Sequence, residues 1–116
     1  REKFAKMGIA ESHSVHLFVL VHGFQATGAD MRTIRNHLQT ALPASMFLIS
    51  HANEKDTDSP ITLLGKNLAT EVQEFINLYL CGARRQNTSK RTFLGKLSFI
   101  GHSLGGIIIR ETIKHL

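Results

Sequence analysis

The sequence contains no tryptophan, one cysteine and two prolines in 116 residues. Because Cys81 is the only cysteine, an intrachain disulfide is excluded, which is typical of proteins from a reducing compartment. Long hydrophobic runs are also missing: the longest, residues 17–21, is the length of a strand, whereas a membrane-spanning helix needs about 20 apolar residues. We therefore expect a cytoplasmic protein that does not cross a membrane.

Metal-ligand clusters and phosphate-binding loops are missing as well. No group of histidines, cysteines and carboxylates has the spacing of a metal site, and no glycine-rich loop has the pattern that cradles phosphates. The sequence therefore predicts neither a metal ion nor an organic cofactor.

Positive charge is in excess, with a formal net charge of +5 at pH 7. Much of it lies in one segment, residues 84–96, which includes Arg84, Arg85, Lys90, Arg91 and Lys96. A solvated loop of this kind could make peripheral contact with an anionic membrane surface. Nucleic acid is not an expected partner, because Phe93 is the only aromatic residue in the segment and single-strand binding needs several stacking rings.

Hydrophobic patterning divides the chain into alternating strands and helices. Apolar runs predict strands at about 15–21, 46–50 and 97–101, and helical periodicity predicts helices at about 30–42, 61–81 and 104–116. Asp30 and Ser59 are expected to cap the first two helices, with Pro60 at the first helical position of the second. Residues 1–14 would be an extension or the start of the domain. This alternation predicts an α/β fold, with helices on both faces of a mostly parallel sheet.

The strongest motif is Gly101-His102-Ser103-Leu104-Gly105, which matches Gly-x-Ser-x-Gly between a predicted strand and a predicted helix. In such a turn the serine has a strained backbone, and its hydroxyl projects above the sheet as a nucleophile. Side chains at Gly101 and Gly105 would collide with the neighbouring strand or helix, and Gly106 is expected to add further room. The N–H of Leu104 would stabilise the oxyanion of a tetrahedral intermediate. Ser103 is therefore the expected catalytic residue.

A second motif, His22-Gly23-Phe24, follows the first predicted strand. A glycine at this point lets the backbone turn, so that the N–H of Phe24 can be the other donor of an oxyanion hole. His22 is interpreted as a structural residue and not as a general base, because it lies on the oxyanion side of the expected site.

Residues 17–24 and 98–106, which contain these two motifs, resemble the corresponding segments of the lipase-like Putative serine esterase family of the α/β-hydrolase superfamily. Between them the similarity extends to Asn53, Thr57, Gly65, Leu68, Glu71 and Val72. The resemblance covers residues 15–116 and implies the N-terminal part of an α/β-hydrolase domain that is incomplete at its C-terminus. The chain would supply the third, fourth and fifth strands of that fold, in the spatial order fourth, third, fifth.

The resemblance also implies a function, the hydrolysis of carboxylic or lipid esters through Ser103. In this fold the catalytic acid and histidine follow the serine in sequence, so both would lie beyond Leu116. The remaining part of the hydrolase domain would then be needed, and we expect the isolated chain to have little or no turnover. Two alternatives stay open: a non-catalytic module of the same fold for binding or scaffolding, and an acyltransferase. A downstream acid and histidine would favour the enzyme over the module.

Overall fold

The structure, a computed structural model, describes residues 12–23, 31–54, 58–80 and 91–116. Strands and helices alternate along this part of the chain: β1 Ser12–Val21, α1 Arg32–Ala41, β2 Met46–Ile49, α2 Ile61–Tyr79, β3 Arg91–Gly101 and α3 Leu104–Ile113. The strands form one parallel sheet in the order β2-β1-β3. The α/β class, the parallel pairing and the central place of the first strand are therefore confirmed.

Strand β1 is apolar on both faces, and both faces are covered. Its odd-numbered side chains pack against α2 and α3, in a cluster of Val15, Leu17, Val19, Val21, Leu64, Leu68, Val72, Leu80 and Ile108. Its even-numbered side chains pack on the other face with the start of α1 and with β2, in a cluster of Phe18, Leu20, Met31, Ile34, Phe47 and Ile49. Full burial of a leucine such as Leu17 stabilises the fold by about 1.5–3 kcal/mol. The expected placement of helices on both faces is confirmed.

Strand β3 begins at residue 91, whereas the sequence predicts a start at about residue 97, so residues 91–96 are an additional part of the strand. These residues were expected in a basic loop, but they pair with the first half of β1, and that part of the prediction is wrong. The register shifts between Val15 and His16, where Gly95 is the extra residue of a β-bulge. A Cβ atom on Gly95 would collide with the hydroxyl of Ser14, so a larger residue at the bulge would require the Ser14 side chain to rotate away.

The helix starts differ slightly from the prediction. Pro60 is the N-cap of α2 and not its first helical residue, because its ψ of 145° is extended. The predicted cap, Ser59, therefore lies outside the helix, and this prediction is wrong. Asp30, the predicted cap of α1, lies outside the described residues, and Met31 is the N-cap there without a side-chain hydrogen bond.

The helix ends also differ. Helix α3 ends at Ile113, before the predicted limit at residue 116. Beyond it, the amide of His115 donates to the carbonyl of Thr112 at 2.8 Å, a short-range bond that tightens the last turn. Helix α2 ends at Tyr79, while its predicted end at residue 81 lies outside the described residues. No helix within the described ranges is both long and apolar enough to cross a membrane.

Candidate active site

The chain turns sharply between β3 and α3. Strand β3 ends at Gly101, α3 begins at Leu104, and Ser103 is the N-cap of the helix. Ser103 has φ 57° and ψ −126°, and no other non-glycine residue in the described ranges has a positive φ. A backbone of this kind costs about 1–3 kcal/mol and is concentrated at functional sites. Because Ser103 is exposed, the strained turn presents its hydroxyl to solvent.

Hydrogen bonds attach this turn to the end of β1. The amide of His102 donates to the carbonyl of Val21 at 3.0 Å, which continues the pairing of β1 with β3 past the last residue of the strand. The amide of Gly105 donates to the carbonyl of His102 at 3.0 Å, and that of Gly106 to the carbonyl of Ser103 at 3.1 Å. The serine is therefore held directly between a strand and a helix.

Two glycines of the turn are required by close contacts between backbones. A Cβ atom on Gly101 would lie 2.6 Å from the amide nitrogen of Gly106, and one on Gly105 would collide with the carbonyl oxygen of Val21. These are the collisions with helix and strand that the sequence predicts. Gly106 differs, because a Cβ atom there would meet nothing within 4 Å. Gly106 was expected to add further room for the turn, but that side of the helix is open and no neighbour there needs the room.

The second motif lies directly against the first. A Cβ atom on Gly23 would lie 2.8 Å from the carbonyl oxygen of His102 and 2.8 Å from the Cβ of Ser103. It would also lie 3.3 Å from the amide nitrogen of Leu104. Leu104 is the first residue of α3, so its N–H has no acceptor within the helix. Phe24, the other expected oxyanion donor, lies outside the described residues.

The Oγ of Ser103 forms no hydrogen bond with another side chain in the described part of the chain. Several histidines there have other partners: His16 with Ser98, His22 with Gly23, His51 with Glu54 and His115 with Glu111. The described residues thus supply a strained serine next to the first amide of α3, and none of their side chains is hydrogen-bonded to that serine.

The loop after β2 is fixed to α2 by polar contacts that no sequence motif indicates. The hydroxyl of buried Ser50 donates to Glu71 Oε1 at 2.6 Å, and the amide of His51 donates to Glu71 Oε2 at 2.9 Å. The side-chain amide of buried Asn53 donates to the carbonyl of Leu64 at 2.9 Å. The one signal in the sequence is Glu71, which directly precedes Val72 of the apolar stripe of α2. A carboxylate next to a buried face needs a hydrogen-bond partner.

An open groove of about 550 Å³ lies beside this loop and is lined by His51, Ala52, Asn67, Thr70, Glu71 and Glu74. None of these residues belongs to the turn around Ser103. Carboxylates border the groove, but the described ranges contain no group of three or more His, Cys, Asp or Glu that could hold a metal ion.

The basic segment is described only in part. Residues 84–90 lie outside the described residues, and Lys96 is exposed on β3. Contact between this segment and a membrane stays a prediction.

Comparison with known families agrees with the geometry of the turn. The family model described as Putative serine esterase (DUF676) matches residues 11–116, which include β1, the turn at Ser103 and every element between them. No solved structure matches the chain. The chain therefore belongs to the Putative serine esterase family.

Proposed function

We propose that this protein is a serine hydrolase that cleaves carboxylic esters, with Ser103 as its nucleophile. The observation that carries the proposal is the backbone of Ser103, with φ 57° and ψ −126°, between β3 and α3. A serine without a catalytic role gains nothing from this strain, whereas a nucleophile uses it to project its hydroxyl above the sheet. Membership of the family supports the same class of reaction.

In the proposed reaction the Oγ of Ser103 attacks the carbonyl carbon of the ester, and the carbonyl oxygen becomes an oxyanion. The N–H groups of Leu104 and Phe24 donate to that oxyanion. A general base takes the proton from Oγ and passes it to the departing alcohol, which leaves an acyl-enzyme. Water then attacks the acyl-enzyme with help from the same base, releasing the carboxylic acid and restoring the serine. This sequence of steps needs no cofactor.

The contact between Gly23 and the turn supports the proposed pair of donors. The amide nitrogen of Leu104 lies 3.3 Å from the position that a Cβ atom on Gly23 would occupy. The amide of residue 24 belongs to the peptide bond that follows Gly23. The close approach of Gly23 to the turn is the observation behind the proposal that these two amides donate to a single oxygen.

We place the general base and its acid outside the described residues, because no side chain within them is hydrogen-bonded to Ser103. We also propose that the 116-residue chain alone has little or no turnover and needs the remaining part of the hydrolase domain, because in this fold the acid and the histidine follow the serine in sequence. The base fits a histidine, which can accept and return a proton near neutral pH.

Lipid esters belong to the proposed substrate class. The net charge of +5 and the basic segment 84–96 favour attraction to anionic lipid headgroups. To measure a preference for lipid esters, the turnover of a short-chain soluble ester is compared with that of an ester carried in anionic vesicles. Faster hydrolysis in vesicles that falls with added salt is the expected result.

The test of the nucleophile is labelling with a fluorophosphonate, which reacts with activated serines. We expect the full-length protein to be labelled, and neither its Ser103→Ala variant nor the 116-residue chain to be labelled. Ser98→Ala is the matched control, because Ser98 lies in β3, the strand that leads to Ser103, but its hydroxyl is hydrogen-bonded to the ring of His16 at 2.6 Å. This variant should label like the wild type.

Each other outcome has a definite meaning. Labelling that persists in Ser103→Ala excludes this residue as the nucleophile. A folded full-length protein that is not labelled favours the non-catalytic binding or scaffold module. Labelling of the 116-residue chain means that one of its own residues acts as the base.

A further inference from the structure

Charged side chains are divided unequally between the two faces of the sheet. Helices α2 and α3 cover one face, and they carry three carboxylates, Glu71, Glu74 and Glu111, beside Lys66 and Arg110. Helix α1 covers part of the other face, and its ten residues include two arginines but no aspartate or glutamate. The three strands also contain no aspartate or glutamate. The side of the sheet that carries α1, which we call the α1 face, is therefore the cationic one.

The two arginines of α1 are Arg32 and Arg35, which lie three positions apart and so on the same side of the helix. Arg32 is exposed and Arg35 is partly exposed. The guanidinium of Arg35 donates to Asn36 Oδ1 at 3.1 Å, and neither arginine forms an ion pair with a carboxylate in the described part of the chain. Their charges are therefore not neutralised by these parts of the fold.

Lys96 brings a third positive charge to the α1 face. The ring of His16 stacks on that of Phe18, with centroids 4.0 Å apart, and its Nε2 lies 2.6 Å from the hydroxyl of Ser98. Because Phe18 belongs to the cluster under α1, Ser98 is on this face as well. Side chains alternate along a strand, and Lys96 precedes Ser98 by two positions. The exposed side chain of Lys96 therefore also lies on the α1 face.

Phe93 adds an exposed apolar ring to the α1 face. It is paired with Ser14 of β1, and the next residue, Leu94, packs into the cluster on the opposite face. Phe93 is 42% exposed, as is Leu42, the C-cap of α1. Positive charge together with exposed apolar groups is typical of protein surfaces that lie in the headgroup region of a membrane.

We propose that the α1 face is a docking surface for membranes that contain anionic lipids, with Arg32, Arg35 and Lys96 binding the headgroups. Each of these cations is attracted to an anionic surface, and no carboxylate of α1 or of the strands opposes them. Nucleic acid fits less well, because Phe93 is the only exposed phenyl ring on this face among the described residues and stacking needs several. The inference rests on the lipid part of the proposed function and not on the chemistry of Ser103.

The experiment removes three positive charges from one side of the sheet at a time, in the full-length protein. The test variant combines Arg32→Gln, Arg35→Gln and Lys96→Gln. The control variant removes the same charge from exposed positions of α2, of α3 and of the C-cap of α3, and it combines Lys66→Gln, Arg110→Gln and Lys114→Gln. Thermal unfolding checks that both variants are folded.

Binding is measured by sedimentation with vesicles of phosphatidylcholine and phosphatidylserine, and with vesicles of phosphatidylcholine alone, at one salt concentration. We expect the wild type to bind only the vesicles that contain phosphatidylserine. A lysine or arginine near an anionic surface contributes about fivefold in affinity, so the test variant should bind about 100-fold more weakly. The control variant should lose less than about threefold.

Four results would overturn the assignment. Equal losses in the two variants would mean that net charge acts without regard to the face. Unchanged binding by the test variant, or a wild type that does not bind the anionic vesicles, would exclude the α1 face. A wild type that binds a single-stranded oligonucleotide more tightly than these vesicles would identify nucleic acid as the partner.

Failure of the proposed hydrolase looks different from failure of the docking surface. If Ser103 is not a nucleophile, the fluorophosphonate does not label it, yet binding to anionic vesicles is unchanged. If the α1 face does not dock, labelling of Ser103 persists and only the binding to vesicles is missing. Ser103→Ala should accordingly bind the anionic vesicles like the wild type.

Discussion

Gly23 and Ser103 lie so close that a Cβ atom on Gly23 would stand 2.8 Å from the Cβ of the serine. The end of β1 and the start of α3 therefore meet at Ser103, although the two motifs are far apart in sequence. At this distance a single methyl group has no space, and either the strand end or the serine must move.

Gly23→Ala should therefore suppress the reaction of Ser103. The added methyl group would also lie 2.8 Å from the carbonyl oxygen of His102, so the turn cannot keep its shape. A displacement of about 1 Å at a reacting atom can lower the rate about 100-fold. We expect a loss of that order in the rate constant for fluorophosphonate labelling of the full-length protein. Labelling at the wild-type rate would show that the contact is not needed for catalysis.

Gly105→Ala should destabilise the fold, and Gly106→Ala should not. A methyl group on Gly105 would collide with the carbonyl oxygen of Val21, while one on Gly106 would meet open space. Overpacking of this kind costs about 1–3 kcal/mol, whereas Gly→Ala at an open helical position stabilises by up to about 1 kcal/mol. Urea unfolding of both variants measures the difference. Equal free energies of unfolding would contradict the contact with β1.

Ser103→Gly should be more stable than Ser103→Ala, although both lack the proposed nucleophile. The φ of 57° and ψ of −126° at this position strain any residue that has a Cβ atom, and glycine removes the strain. We expect a difference of about 1 kcal/mol in the free energy of unfolding, because the greater freedom of unfolded glycine offsets part of the gain. An alanine variant that equals or exceeds the glycine variant would mean that the turn is not strained.

Glu71→Ala should destabilise the loop after β2. The carboxylate accepts hydrogen bonds from the hydroxyl of Ser50 and the amide of His51, and Ser50 is only 1% exposed. Buried groups that lose their partner cost about 1–3 kcal/mol. Glu74→Ala is the matched control, because Glu74 borders the same groove but is exposed, and its replacement should change stability by less than about 0.5 kcal/mol. Similar thermal unfolding of the two variants would argue against the role of Glu71.

The type and order of the elements could be predicted from the sequence because both depend on neighbouring residues. The apolar run at 15–21 has the length and composition of a strand covered on two faces, and the helical stripe that begins at residue 61 continues to the end of α2. The strained backbone of Ser103 is likewise a local property of a tight turn between strand and helix. The expected catalytic role of Ser103 remains a proposal.

The early start of β3 could not be predicted, because residues 91–96 contain no apolar run and become a strand only by pairing with β1. The bond between Ser50 and Glu71 joins positions 21 residues apart, so no local pattern indicates it. The position of the N-cap of α2 was also misjudged, since the extended ψ of Pro60 depends on how the loop after β2 meets the helix.

By itself, the sequence determined the alternation of strands and helices and the sharp turn at Ser103, because hydrophobic period and steric limits act between adjacent residues. Only the tertiary structure decided which atoms lie against each glycine of that turn. Gly105 must be glycine because the carbonyl of Val21 lies against it. Gly106 is free to change because a Cβ atom there would meet nothing within 4 Å. Contacts between distant segments exist only after the sheet has formed, and the surroundings of Ser103 are made of such contacts.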